Sequence, residues 1–194
     1  MGVDATFYWD FNSPYAYLAA ERIDGLIPDA RWKPIAYPIL LHQLGRLEQT
    51  LDELDPAPIT AEVSDRAGQR GLPPFAPPEA WPVESWSLAP LRAALFADKR
   101  GRLREFSKAA FRKSFAESRS LAELDTILAA AGEAGLEPDE VREGIERPEI
   151  KERLKANTDE ARERGVSGIP TVAIGDQLFW GDDHLDEAAA VAAS

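Results

Sequence analysis

The hydrophobic period switches between strand-like and helical along this chain, and that switching limits its folds more than any other feature. Thr6-Phe7-Tyr8-Trp9 is a short apolar run and reads as a buried strand. From Ser87 to Arg164 apolar residues recur at helical spacing. Near the other end, Thr171-Val172-Ala173-Ile174 and Gln177-Leu178-Phe179-Trp180 flank Gly175-Asp176, the pattern of a tight β-hairpin. The predicted order is β-α-β, a long helical stretch, then β-β-α. Residues 1–39 and 166–194 are expected to form one discontinuous α/β unit, with 40–165 as an inserted helical domain.

The first strand runs into Asp10-Phe11-Asn12-Ser13-Pro14. Ala16, Ala19, Ala20, Ile23, Leu26 and Ile27 then share one helical face. Serine is a preferred N-cap, and proline is tolerated at the first helical position, where its missing N–H had no partner anyway. Ser13 is therefore predicted at the point where a strand feeds a helix N-terminus. N–H groups and the helix dipole favour negative charge there, such as a thiolate or a carboxylate. An N-cap serine is also common with no ligand at all, so the junction alone specifies only a helix start.

Asp29 to Tyr37 reads as a second strand parallel to the first, with Pro34 favouring an edge position. Leucines at helical spacing run from residue 40 to 54, and Asp55-Pro56-Ala57-Pro58 reads as a break. The proline-rich segment Leu72 to Pro82 is an expected extended loop, with Trp81 and Trp86 at its end as packing anchors. Ser120-Leu121-Ala122-Glu123 has the form of a capping box opening a helix through Ala131. Pro138 and Pro148 open two further helices, the second highly charged and ending at Gly165.

Composition removes several functions. The net charge of −12 opposes nucleic-acid binding, which needs clustered cations. No apolar run is long enough to span a membrane, and the N-terminus has no signal-peptide pattern, so the expected location is the cytoplasm. There is no cysteine, which removes disulfides and thiolate metal sites. His42 and His184 are far apart in sequence, and no metal site is expected.

Three motifs in order then resemble one group of proteins. They are Asp10-Phe11-x-Ser13-Pro14-Tyr15-Ala16-Tyr17-Leu18, Gly165-Val166-x-Gly168-Ile169-Pro170-Thr171 and Phe179-Trp180-Gly181-x-Asp183-x-Leu185. The chain is similar to the 2-hydroxychromene-2-carboxylate isomerases and the kappa-class glutathione transferases. These are DsbA relatives with a thioredoxin-like fold and a large all-helical insertion. The β-α-β and β-β-α ends permit that fold without proving it.

The resemblance implies a cis bond before Pro170 and glutathione as thiol cosubstrate, its sulfur near Ser13. It implies that the backbone of Ile169 and Pro170 pairs with the cysteinyl part, and that Asp182 and Asp183 hold the γ-glutamyl end. Either aspartate could instead simply cap the last helix. The implied reaction is isomerisation of an aromatic-derived acid. A thiolate adds to a conjugated double bond, rotation follows, and the thiolate leaves. Tyr15, Trp81, Trp86, Phe179 and Trp180 are the expected aromatic walls. A homodimer is implied by resemblance alone.

The chain departs from the group in three places. Residues 40–59 contain neither the asparagine nor the lysine that relatives use for glutathione. Glu84 replaces a common asparagine, and His184 replaces an arginine. Lys33, Arg66, Arg70 and Arg92 are the nearby cations in sequence, each most simply a solvated surface charge. The competing readings are a transferase using another small thiol, and a redox-inactive DsbA-like module that binds a peptide.

Overall fold

The computed structural model describes residues 4–79, 81–82 and 88–193. Glu84 and Trp86 lie outside them. One four-stranded sheet organises the described chain, with spatial order β2-β1-β3-β4. β1 (Ala5–Trp9) is central, and β2 (Arg31–Pro34) runs parallel to it at one edge. Pro34, which has no N–H to give, sits in that edge strand as expected. β3 (Thr171–Ile174) pairs antiparallel with β1, and β4 (Gln177–Trp180) completes the hairpin. The first strand is thus stitched between β2 and a strand far along the chain, with Tyr8 opposite both Lys33 and Thr171.

Strand periodicity divides β1 between two cores. Phe7 and Trp9 face the larger core, and Tyr8 faces a smaller one with Ile35, Leu40, Ala161, Val166, Ile169 and Ala173. On the larger side lie α1 (Pro14–Leu26), α6 (Leu103–Phe115) and α10 (Leu185–Ala192). Ala16, Ala19 and Ala20 are fully buried, and their small side chains let neighbouring helices approach closely. Trp9 meets Phe11, Phe111 and Trp32 with ring centroids 4.9, 5.5 and 5.9 Å apart. Such pairs add about 0.5–1.5 kcal/mol each beyond buried area. α9 (Pro148–Glu163) covers the other side through Ala161 and contacts β2. Thr158 Oγ1 there accepts from the Ala36 N–H at 3.0 Å.

Three sequence expectations are corrected. The leucine-rich stretch from 40 to 54 is two short helices, α2 (Tyr37–Gln43) and α3 (Leu47–Asp52), not one. Gly45, at φ +67°, turns the chain between them in a conformation that L side chains rarely adopt. Asp55-Pro56 does not only break the chain. It opens α4 (Pro56–Gln69), with Asp55 as N-cap accepting from the Ala57 N–H at 3.0 Å. Ser120 forms no capping box. Its Oγ accepts from Ala122 in a turn, and α7 (Leu124–Glu133) starts later. α5 (Ala89–Lys99) and α8 (Pro138–Gly144) complete the helical layer. No helix among the described residues is long and apolar enough to cross a membrane.

Candidate active site at the α1 N-terminus

Ser13 caps α1 with an extended backbone, and its Oγ accepts from the Ala16 N–H at 3.2 Å. Pro14 has no N–H, so the first turn offers a ligand the Tyr15 N–H, which has no partner among the described residues. The Ser13 hydroxyl keeps its own hydrogen to donate.

The turn is braced from behind. Asp10 is 2% exposed, and its carboxylate accepts from the Asn12 N–H at 3.0 Å and the Tyr37 N–H at 2.8 Å. It therefore ties the Ser13 turn to the start of α2. Burial pushes this carboxyl up to about 6, against the opposing pull of the Tyr37, Asn12 and Phe11 amides. Trp81 braces the turn from another side, donating from Nε1 to the Asn12 carbonyl at 3.1 Å.

Two cavities meet at this turn. The first, about 210 Å³, is apolar and opens at Ser13 between α1, α2, α3 and Trp81. Leu41, Leu51, Leu54 and Ile59 form much of its wall. The second, about 340 Å³, is polar and holds Glu62, Arg66, Trp180, Asp183 and His184. Tyr15 and Ile169 line both. A third and larger cavity, about 610 Å³, lies elsewhere at the β2 edge. Its four cations, Arg31, Lys33, Arg104 and Arg153, already face Asp4, Glu160, Asp24 and Asp98, so it offers an anion no free charge.

The polar cavity is built by a charge network that crosses the fold. Glu62 and Arg66 on α4 and Arg70 at its C-cap follow one another at a spacing of four residues. Tyr15 Oη donates to Glu62 Oε2 at 2.6 Å, and burial first, then Glu62, pushes that phenol above its ordinary range. Arg66 pairs with Glu62 at 2.5 Å, lies over the Tyr15 ring, and donates to Asp182. Arg70 Nη1 lies 2.6 Å from the other Asp182 oxygen. Arg22, from α1, donates to the Asp182 carbonyl at 3.1 Å. Burial alone would lower the Arg66 pKa, but Asp182, Glu62 and Asp183 outweigh it and hold the guanidinium above its usual value.

The residues singled out in the sequence fall into distinct places. Ser13 and Ile169 meet at the apolar cavity, and the Ile169–Pro170 bond is cis. Asp183 is 57% exposed in the polar cavity, whereas the Asp182 carboxylate is fully buried against Arg66 and Arg70. Neither aspartate caps α10, whose N-cap is His184 without a side-chain bond. His184 pairs with Glu187 at 3.2 Å, which raises its pKa. Lys33 is held by Glu160 at 2.6 Å, and Arg92 lines a separate cavity with Lys151 and Lys155. Of the expected walls, Tyr15 and Trp81 line the apolar cavity and Trp180 the polar one, while Phe179 packs on the core. Trp180 lies across Gly168 so closely that a Cβ there would run into its indole. Glu62 is absent from the residues that the sequence singles out. Its four-residue spacing with Arg66 and Arg70 is its only local signal.

A family model described as a DSBA-like thioredoxin domain matches residues 5–191. The chain is 26% identical over 186 residues to a 2-hydroxychromene-2-carboxylate isomerase of Sphingobium xenophagum, covering 93% of each chain. It is 25% identical over 196 residues to one of Pseudomonas putida, covering 92% of this chain and 89% of that one. Among solved structures, a 2-hydroxychromene-2-carboxylate isomerase superposes with a TM-score of 0.80 at 22% identity, covering 96% of this chain and 93% of that one. A probable DsbA oxidoreductase from Streptomyces coelicolor follows the same fold at a TM-score of 0.74 and 18% identity, covering 98% and 89%. With its mixed four-stranded sheet, its helical insertion and a family match running from β1 into α10, the chain belongs to the DsbA-like thioredoxin-domain family.

Proposed function

We propose that this protein is a thiol-dependent isomerase of the 2-hydroxychromene-2-carboxylate isomerase type, with glutathione as the thiol. One observation carries the reading. An apolar and a polar cavity meet at Tyr15 and Ile169, with the Ser13 helix N-terminus opening into the apolar one. A peptide thiol could lie in the polar cavity and present its sulfur at that join. The isomerase relatives, similar over nearly the whole chain, support the same reaction class.

The residues present fit such a thiol. The Ser13 hydroxyl and the Tyr15 N–H are donors beside the helix dipole, which favours a thiolate over a thiol. The Ile169 backbone would lie along the cysteinyl part, as a strand edge receives a peptide. Asp183 is the open carboxylate for the γ-glutamyl ammonium. Asp182, engaged by two arginines, anchors the cavity wall instead. Bound there, glutathione supplies a nucleophilic sulfur, which makes a conjugated double bond single long enough to rotate. The chain's own part is to orient that sulfur, lower its pKa, and hold a flat substrate against Leu41, Ile59 and Trp81 away from water. The chain has no cysteine of its own, so any sulfur chemistry here has to come from a bound small thiol.

Calorimetric titration of glutathione into the wild type and Ser13→Ala tests this. Millimolar or tighter binding, weakened about tenfold in the variant, is the expected outcome. No heat and no thermal shift at several millimolar glutathione refutes it.

A further inference from the structure

We infer that the acceptor held in the apolar cavity is an uncharged conjugated compound, and not a carboxylate. This rests on the thiol-dependent reading above but narrows its substrate class, away from the acid for which the similar isomerases are named.

Charge decides between the two. Among the described residues lining the cavity there is no Lys, Arg, His, Asp or Glu. Its polar groups are Asn12, the Ser13 and Thr50 hydroxyls and the two phenols Tyr15 and Tyr37. Burial raises the pKa of both phenols, so neither contributes charge at neutral pH. Residues 80 and 83 to 87, outside the described set, include no cation by sequence.

The cations around the cavity are engaged elsewhere. Arg66 is bound by Asp182 and Glu62, and Lys33 by Glu160. Arg46, whose charge reaches the Tyr37 phenol, does not line the cavity and donates to the Ser167 carbonyl at 3.4 Å. The Asp10 carboxylate behind the Ser13 turn is held by the Asn12 and Tyr37 amides, with no ion pair among the described residues, and opposes an anion. A carboxylate entering this cavity would shed water against leucine, isoleucine and tryptophan with no cation to receive it. A ketone, quinone or lactone carbonyl meets no such cost, and the Thr50 hydroxyl can donate to it.

A matched pair of probes tests this. Benzylideneacetone and benzylidenepyruvate share one conjugated skeleton and differ by a methyl in place of a carboxylate. Each is titrated into the full chain with and without S-methylglutathione, a thiol analogue that cannot react. The ketone is expected to bind at least about tenfold more tightly than the acid. Thr50→Lys, which puts a cation on the half-buried face of α3, is expected to cut that ratio at least about tenfold by gaining the acid. Equal or tighter binding of the acid to the wild type overturns the inference, as does failure of both probes to bind at millimolar concentration. If S-methylglutathione does not bind but the ketone is still preferred, the thiol reading falls and the preference for an uncharged acceptor stands.

Discussion

Truncating Asp182 separates a residue that builds the site from one that would touch a ligand. Its carboxylate has no solvent exposure, while Arg66 and Arg70 beside it are 23% and 22% exposed. Asp182→Ala takes away the carboxylate shared by two guanidinium groups, leaving Arg66 with Glu62 and, at 3.9 Å, Asp183. Breaking a buried charge pair in this way costs about 3–5 kcal/mol. In a chain of this size each kcal/mol moves the melting temperature about 2–4 °C, so the expected drop is about 6–20 °C. Asp183→Ala is the control. That carboxylate is 57% exposed and 3.9 Å from Arg66, so its removal shifts stability by about 0.5 kcal/mol or less. Glutathione titration should show the reverse order, with the larger loss in Asp183→Ala at temperatures where both variants are folded. Replacing Arg66 and Arg70 by Leu in the Asp182→Ala background should recover part of the lost stability, because the uncompensated charges go with them. Scanning calorimetry reads all four proteins. An Asp182→Ala melting temperature within about 2 °C of the wild type would refute the claim that this pair joins α4 to the β4–α10 turn.

Two further outcomes follow from single groups. Asp10 titrates at about 6 in the fold, against 3.8 for an ordinary, solvated aspartate. It therefore contributes about 3 kcal/mol that is fully present below the lower value and is lost as pH rises through the upper one. Urea melts of wild type and Asp10→Asn at roughly pH 4 and pH 7 should show their stability difference shifting by about 2 kcal/mol, since part of the contribution is already lost at pH 4. An unchanged difference would mean that Asp10 is not proton-linked to folding. Gly168→Ala puts a Cβ where the Trp180 indole lies; that side chain is 60% exposed and free to swing outward, so the cost should be about 1 kcal/mol or less, with a change in tryptophan emission. The double variant Gly168→Ala/Trp180→Ala should regain most of that loss, and an emission spectrum unchanged in Gly168→Ala would show that the indole is not displaced.

The parts of the fold that are local in sequence are readable there. Ser13-Pro14 announces a helix start, Gly175-Asp176 announces a hairpin, and Pro34 marks an edge. The same grammar is present at Asp55-Pro56, where an N-cap and an N1 proline open α4, yet the second proline at 58 makes the segment look like a loop. With α4 unread, Glu62 has no helix to sit on and Arg66 no direction. The pairing of Arg66 with Asp182 spans 116 residues, and no periodicity reaches that far. This is also why Asp182 and Asp183 look equivalent in the sequence. One side chain faces two arginines and its neighbour faces water, a difference set by tertiary packing alone.

The position of β1 bears on how the protein is made. Of the four strands of the sheet it is the first to be synthesised, and it is central in the finished sheet. β2 follows soon after, but the strand that closes its other side, β3, is synthesised only after the whole helical segment. Until then Phe7, Tyr8 and Trp9 sit on a strand with one bare row of amides and carbonyls, able to template pairing with another chain. Packing of α1 over Phe7 and Trp9, which share its core, is the first burial open to that strand.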